Sequence, residues 1–172
     1  LIPGSSGDTQ NDHTFASNER LQLQRTWFSF IDHMIKHELS PVLYSATNAP
    51  QLMQVLDTII EGCTSPPNLL LHKACFDILH QLVLLWIAGR ASPPDELRAR
   101  FADFIVQRGT DVMFRCPALP HFDLEDAESN AVLTSIVVLQ SAVLQSVGEA
   151  YLKFLYEAYL PSINCPPALA HE

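Results

Sequence analysis

The chain has 172 residues, 48% of them hydrophobic, and its 10 basic and 19 acidic side chains give a formal charge of -9. That length and apolar share are enough for one ordinary domain with a real core, while the acidic balance argues against a piece that grips a phosphate backbone strongly by bulk charge alone. Six glycines stand against 12 prolines, and no strict apolar/polar alternation of the kind a strand needs is present, so the expected class is all-α, helices joined by short stiff turns.

Residues 1–18 are rich in Gly, Ser, Asp and Asn and read as a flexible lead-in or loop. The first residue is Leu1, and no basic region followed by an apolar one marks a secretory signal; the expectation is a soluble fragment of a longer chain. A first helix is expected from Glu19 to Glu38, with Trp27, Phe28, Phe30, Ile31, Met34 and Ile35 on its apolar face and Ser40–Pro41 as its end. A short turn follows over Pro41 to Ser45. The next helix takes Asn48 as its N-cap and Pro50 in its first turn. It buries Leu52, Val55, Leu56, Ile59 and Ile60, and stops near Cys63 before Ser65–Pro66–Pro67.

Leu69 to Trp86 is the most strongly patterned stretch. Leu71, Ala74, Cys75, Ile78, Leu79, Leu82, Val83 and Trp86 recur at steps of three and four, the rhythm of a helix with one broad buried face. Lys73, Asp77, His80 and Gln81 occupy the other side. The short link from the preceding helix makes the two an antiparallel pair. After the loop Ala88 to Pro94, a helix is expected from Asp95 to Phe114, facing Leu97, Phe101, Phe104, Ile105 and Val112 inward and weakened at Gly109. Pro117 and Pro120 bracket a break. Asp123 is the expected N-cap of a last long helix carrying Val132, Ile136, Val137, Leu139, Val143 and Leu144, interrupted at Gly148. A final short helix holds Tyr151, Leu152, Leu155 and Tyr159, closed by Pro161. The apolar runs are broken short of a membrane span, so no membrane insertion is expected.

The organisation that follows is a lead-in over 1–18, helical repeats over 19–160 and a proline-rich tail over 161–172. About six helices in antiparallel pairs at a period near ~40 residues match an α-solenoid of HEAT-like pairs. The shared element is rhythm, not motif.

Candidate chemistry is sparse. His33 and His37, four apart in HMIKH, share one side of a helix and with His72 or an acid could hold zinc; solvated or partly buried histidines explain them as well. Asp123, Glu125, Asp126 and Glu128, near His121, are paired carboxylates that helix capping also accounts for. No nucleophile elbow, phosphate loop or dinucleotide glycine pattern occurs, so neither an enzyme nor a cofactor is expected. Cys63, Cys75, Cys116 and Cys165 contain no C-x-x-C pair and read as reduced thiols. Arg90, Arg98, Arg100, Arg108 and Arg115 gather mid-chain, and Arg98, Arg100 and Arg108 lie along one expected helix. They suit phosphate contacts, or a solvated face paired with Asp95, Glu96 or Asp103. Ser40, Ser65 and Ser92 each precede proline, where phosphorylation and loop punctuation are the two readings.

VLDTIIEGC (Val55 to Cys63), LVLLW (Leu82 to Trp86), FADFI (Phe101 to Ile105), HFDLEDAES (His121 to Ser129) and EAYLPSINCPP (Glu157 to Pro167), in this order and spacing, resemble the C-terminal part of the tRNA exportin family, exportin-T, of the karyopherin-β group. The resemblance runs from about Glu19 to Pro167. It implies a segment of a long HEAT-repeat superhelix that binds mature tRNA with Ran-GTP in the nucleus, passes nuclear pore components, and releases its cargo in the cytoplasm. Shape and backbone recognition suit a structured RNA, and the receptor performs no chemistry. Arg98, Arg100 and Arg108 are the candidate RNA-backbone contacts. The competing reading is a HEAT-type scaffold, of another karyopherin-β relative or an unrelated repeat protein, that holds a basic or helical peptide.

Overall fold

The structure is a computed structural model describing residues 8–91 and 93–165, with side chains from residue 18 onward. Among the described residues all regular structure is helical, as the missing strand alternation requires.

Helix α1 spans Asp8–Lys36. It takes in most of the stretch expected as lead-in, because no proline or glycine between Asp8 and Asn18 stops a helix from growing backward. The remainder, residues 1–7, and residues 166–172 of the expected tail lie outside the described residues. Its end differs from expectation too. Glu38 adopts a left-handed φ of 60°, Leu39 N–H donates to the Met34 carbonyl at 2.8 Å and Glu38 N–H to that of Ile35 at 3.2 Å. This is a Schellman closure; it stops the helix before Ser40–Pro41, which instead opens the short α2, Ser40–Leu43.

A 3-10 turn, Ala49–Gln51, leads into α3, Leu52–Gly62. Asn48 does not cap it as expected: its side-chain amide points back and donates to the Val42 carbonyl at 2.9 Å. The loop to α4 contains a cis Ser65–Pro66 bond. Helix α4, Leu69–Leu82, starts at Asn68, whose side chain accepts from Leu71 N–H, and continues through a π turn, Val83–Ile87. Helix α5, Asp95–Phe104, a π turn at Ile105–Gly109 and α6, Thr110–Arg115, run on without a break. The wider π turn carries the chain past Gly109.

A 3-10 turn, Cys116–Ala118, precedes the next loop. Helix α7, Ala127–Val147, is capped by Asp126, which accepts from Ser129 N–H at 2.8 Å. Asp123, the expected cap, accepts from Glu125 N–H at 2.9 Å and so shapes the loop. Gly148, at φ 69° and ψ -138°, ends α7 in a conformation that side chains strain to reach. Helix α8, Glu149–Phe154, a π turn at Leu155–Tyr159 and α9, Leu160–Ser162, follow. Pro161 sits inside that last turn; Asn164, left-handed at φ 56°, closes it as Cys165 N–H bonds the Leu160 carbonyl at 3.0 Å.

Helix α4 is the centre, with α1, α3 and α7 all packed on it. Trp86 is wholly buried, edge-on to Phe101 with centroids 5.0 Å apart and to Tyr44 at 5.9 Å. One continuous core runs from Phe28 to Tyr151, and Leu155, Tyr159 and Leu160 form a smaller one. Together these helices form an all-α fragment of helical-repeat type. Val132, Ile136, Leu139 and Val143 make the buried stripe of α7, so Val137, one residue and 100° on from Ile136, is turned out, as is Leu144. Phe30, expected on the apolar face of α1, is exposed as well, and so is Leu152.

Leu69–Ile87 and Ala127–Val147 are, contrary to expectation, long and apolar enough to cross a membrane by length and composition. They pack on each other instead, and a polar link joins them: Ser135 of α7 donates to Asp77 of α4 at 2.7 Å, and Asp77 holds Lys73 at 2.6 Å.

Candidate nucleic-acid interface

Helices α1, α3 and α6 border an open groove of about 970 Å³. Helices α1 and α3 each contribute a pair of residues seven apart, two turns along one face, Arg20 with Trp27 and Gln54 with Glu61; Arg108 of the π turn before α6 and Arg115 at the end of α6 complete the lining. The groove is therefore a product of helical register. It mixes guanidinium groups, an indole face and amide and carboxylate oxygens.

The arginines are partly neutralised. Arg108 pairs with Asp57 of α3 at 3.4 Å, and Arg115 pairs along its own helix with Asp111 at 3.2 Å. Both arginine side chains stay more than half exposed, 56% and 63%, so the pairs are screened and weak. A ligand phosphate can exchange for either aspartate at little cost, and a guanidinium offers it two parallel donors.

The three sequence candidates do not all meet here. Arg108 lines the groove; Arg98 and Arg100 are not among its lining residues. Arg98 pairs with Asp95 at 3.7 Å, one of the partners expected of a solvated face. Arg100 is exposed on α5, with no ion pair among the described residues. Arg20 and Arg115 belong to the groove and were not singled out as contacts. The seven-residue step from Arg108 to Arg115 was the available clue; Arg20 joins them only through tertiary packing.

The other candidate clusters are dispersed or already employed. His33 and His37 are neighbours on α1, rings 6.3 Å apart, with His33 Nδ1 on the Ser29 carbonyl at 2.7 Å. His72 lies elsewhere, sealed in the core, its Nε2 donating to the Pro66 carbonyl at 2.8 Å, with the His121 ring 5.5 Å away and Cys116 Sγ 3.9 Å from Nδ1. Burial lowers the pKa of His72 and pushes the Cys116 thiol up to about 12. Asp123 and Asp126 are spent on loop and cap geometry, and all four carboxylates of that cluster are exposed.

A sequence model of the Exportin-T family matches residues 10–172. The chain belongs to the Exportin-T family. It is 34% identical over 157 residues to Exportin-T of Mycosarcoma maydis, covering 90% of this chain and 14% of that protein. It is 32% identical over 162 residues to the mouse Exportin-T, covering 94% and 16%, and 35% identical over 163 residues to that of Danio rerio, covering 95% and 16%. The chain thus spans about a seventh of the length of the Exportin-T relatives it matches. No solved structure matches it.

Proposed function

We propose that this chain is the C-terminal segment of a nuclear export receptor for tRNA, and that within the full-length protein it helps hold tRNA in a complex with Ran-GTP. The observation that carries the reading is the Exportin-T match over residues 10–172. The groove supplies a physical means: three arginines beside an aromatic ring, set in an acidic chain, favour a local backbone contact over bulk attraction. The segment binds and shapes; it performs no chemistry. Its parent shuttles between nucleus and cytoplasm past nuclear pore components.

In this reading Arg108, with Arg20 and Arg115, meets phosphates in the groove, while Arg98 and Arg100 offer further contacts along α5. The test is filter binding of labelled tRNA to the full-length receptor with and without Ran-GTP. Retention that depends on Ran-GTP is expected, and its absence sinks the receptor reading. Glutamate at Arg98, Arg100 and Arg108 together should weaken retention and flatten its salt dependence, by roughly one unit of log–log slope per lost phosphate contact. Unchanged affinity in a folded triple variant removes these arginines from the interface.

A further inference from the structure

The same groove contains a hydroxyl that nothing in the fold uses. Three serines precede proline. Ser40 is sealed in the core at 1% exposure, and Ser92 lies outside the described residues. Ser65 is exposed in the α3–α4 loop and lines the groove with Arg20, Arg108 and Arg115. The hydroxyls of Ser45, Thr58, Thr134, Ser135 and Ser162 are all engaged in hydrogen bonds. That of Ser65 makes none among the described residues, so modifying it breaks no contact.

We propose that Ser65 is a phosphorylation site whose modification closes the arginine groove to an RNA backbone. The proposal rests on the reading that this groove meets RNA. In a protein kinase, Ser65 Oγ attacks the γ-phosphorus of ATP. The new oxygen–phosphorus bond forms as the bond to the ADP oxygen breaks, the hydroxyl proton passes to the kinase's base, and ADP leaves. Charge decides the effect. Glu61 and Asp111 among the lining residues, with Asp57 on Arg108, balance the charge of Arg20, Arg108 and Arg115. A phosphoseryl group brings about −1.5 to −2 at neutral pH, which turns this balanced set of charges net negative. Its oxygens also compete for the guanidinium donors that an RNA phosphate would take.

The experiment uses the full-length receptor with phosphoserine installed at position 65 by genetic code expansion, beside the unmodified protein, Ser65→Ala, and the pair Arg108→Glu/Arg115→Glu. Labelled tRNA is titrated with Ran-GTP present. The phosphorylated protein should bind on the order of tenfold more weakly with a shallower salt dependence, and Ser65→Ala, which removes the hydroxyl without adding charge, should not reproduce the shallower slope. If the arginine pair lowers affinity and phosphoserine leaves it unchanged or raises it, the switch is wrong and the groove reading stands. If the arginine pair has no effect, the groove reading itself fails. Phosphopeptide mapping of the receptor from its own cells, with phosphatases inhibited, should find phosphate on Ser65; recovery of that peptide only in unmodified form, in growing and in stressed cells, overturns the assignment.

Discussion

Asp57 of α3 holds Arg108 at 3.4 Å, so the same carboxylate that orders the guanidinium also opposes any phosphate approaching it. Replacing Asp57 with asparagine should therefore act opposite to Arg108→Ala. The exposed ion pair contributes little to folding, about 0.2–1 kcal/mol, and stability should barely move. Full-length receptor carrying Asp57→Asn should bind tRNA about two- to fivefold more tightly at low salt, with the difference fading as salt rises. Filter binding across a salt series reads this; tighter binding that persists at high salt would point away from charge.

Ser135 and Asp77 join the two most apolar helices, Oγ to Oδ1 at 2.7 Å. A bond to an ionised acceptor is stronger than a neutral one, but Asp77 is half exposed and keeps Lys73 as a partner. Ser135→Ala should therefore cost about 1 kcal/mol, seen as a lower urea midpoint with unchanged slope. A loss above roughly 3 kcal/mol would mean that the bond orients α4 against α7 and does more than add to it.

Gly62 ends α3 where that helix meets α1 and α4. A Cβ there would stand 2.5 Å from Cys75 Sγ and 2.7 Å from Phe28 Cζ, both wholly or almost wholly buried. Gly62→Ala should destabilise by about 1–3 kcal/mol through overpacking. Cys75→Ala opens space on one side only, so the double variant should recover part of the loss, measured as a coupling energy in a urea double-mutant cycle. Strict additivity would show that α3 moves aside.

Helix existence was legible wherever apolar residues recur every three or four positions, as in Leu71, Cys75, Ile78 and Leu82. Ends were less so, because the chain stops its helices by backbone conformation as well as by proline. Glu38 and Asn164 adopt positive φ, and nothing in residue type required it of Glu38. Asp123 and Asp126 are alike as caps in sequence; the hydrogen-bond register chose the second. Phe30 and Val137 show the other limit: periodicity counts apolar residues but does not say which face meets a neighbour. Arg108 could be picked out from the sequence. Of its partners in the groove, Arg115 follows at a seven-residue step, but Arg20 reaches it from 88 positions upstream through packing alone.

Thiol reactivity separates the cysteines. Cys63, Cys75 and Cys116 are inaccessible, and burial raises the thiols of Cys63 and Cys116; the thiolate is the reactive form. Cys165 is part-exposed. The folded 172-residue chain should release about one equivalent with a disulfide reagent at pH 8 and four after denaturation. Cys165→Ser should abolish the native equivalent. Rapid reaction of a second thiol in the folded chain would show that the α3–α4 core opens locally.

His72 links pH to stability. Its Nε2–H is committed to the Pro66 carbonyl, the other nitrogen faces Cys116, and His121 lies beside it, so an added proton finds no acceptor. Burial lowers its pKa from 6.5, as it does that of His80. Above pH 6.5 both folded and unfolded chains hold the neutral ring, and the stability is fully present. As pH falls below that value the unfolded chain takes up protons before the folded one, and stability is lost. Urea midpoints should drop between pH 7 and pH 5.5. His72→Gln keeps an amide donor for Pro66 and removes the titration, so its pH dependence should flatten, with His80 supplying the remainder. An equal decline in parent and variant would place the proton uptake elsewhere.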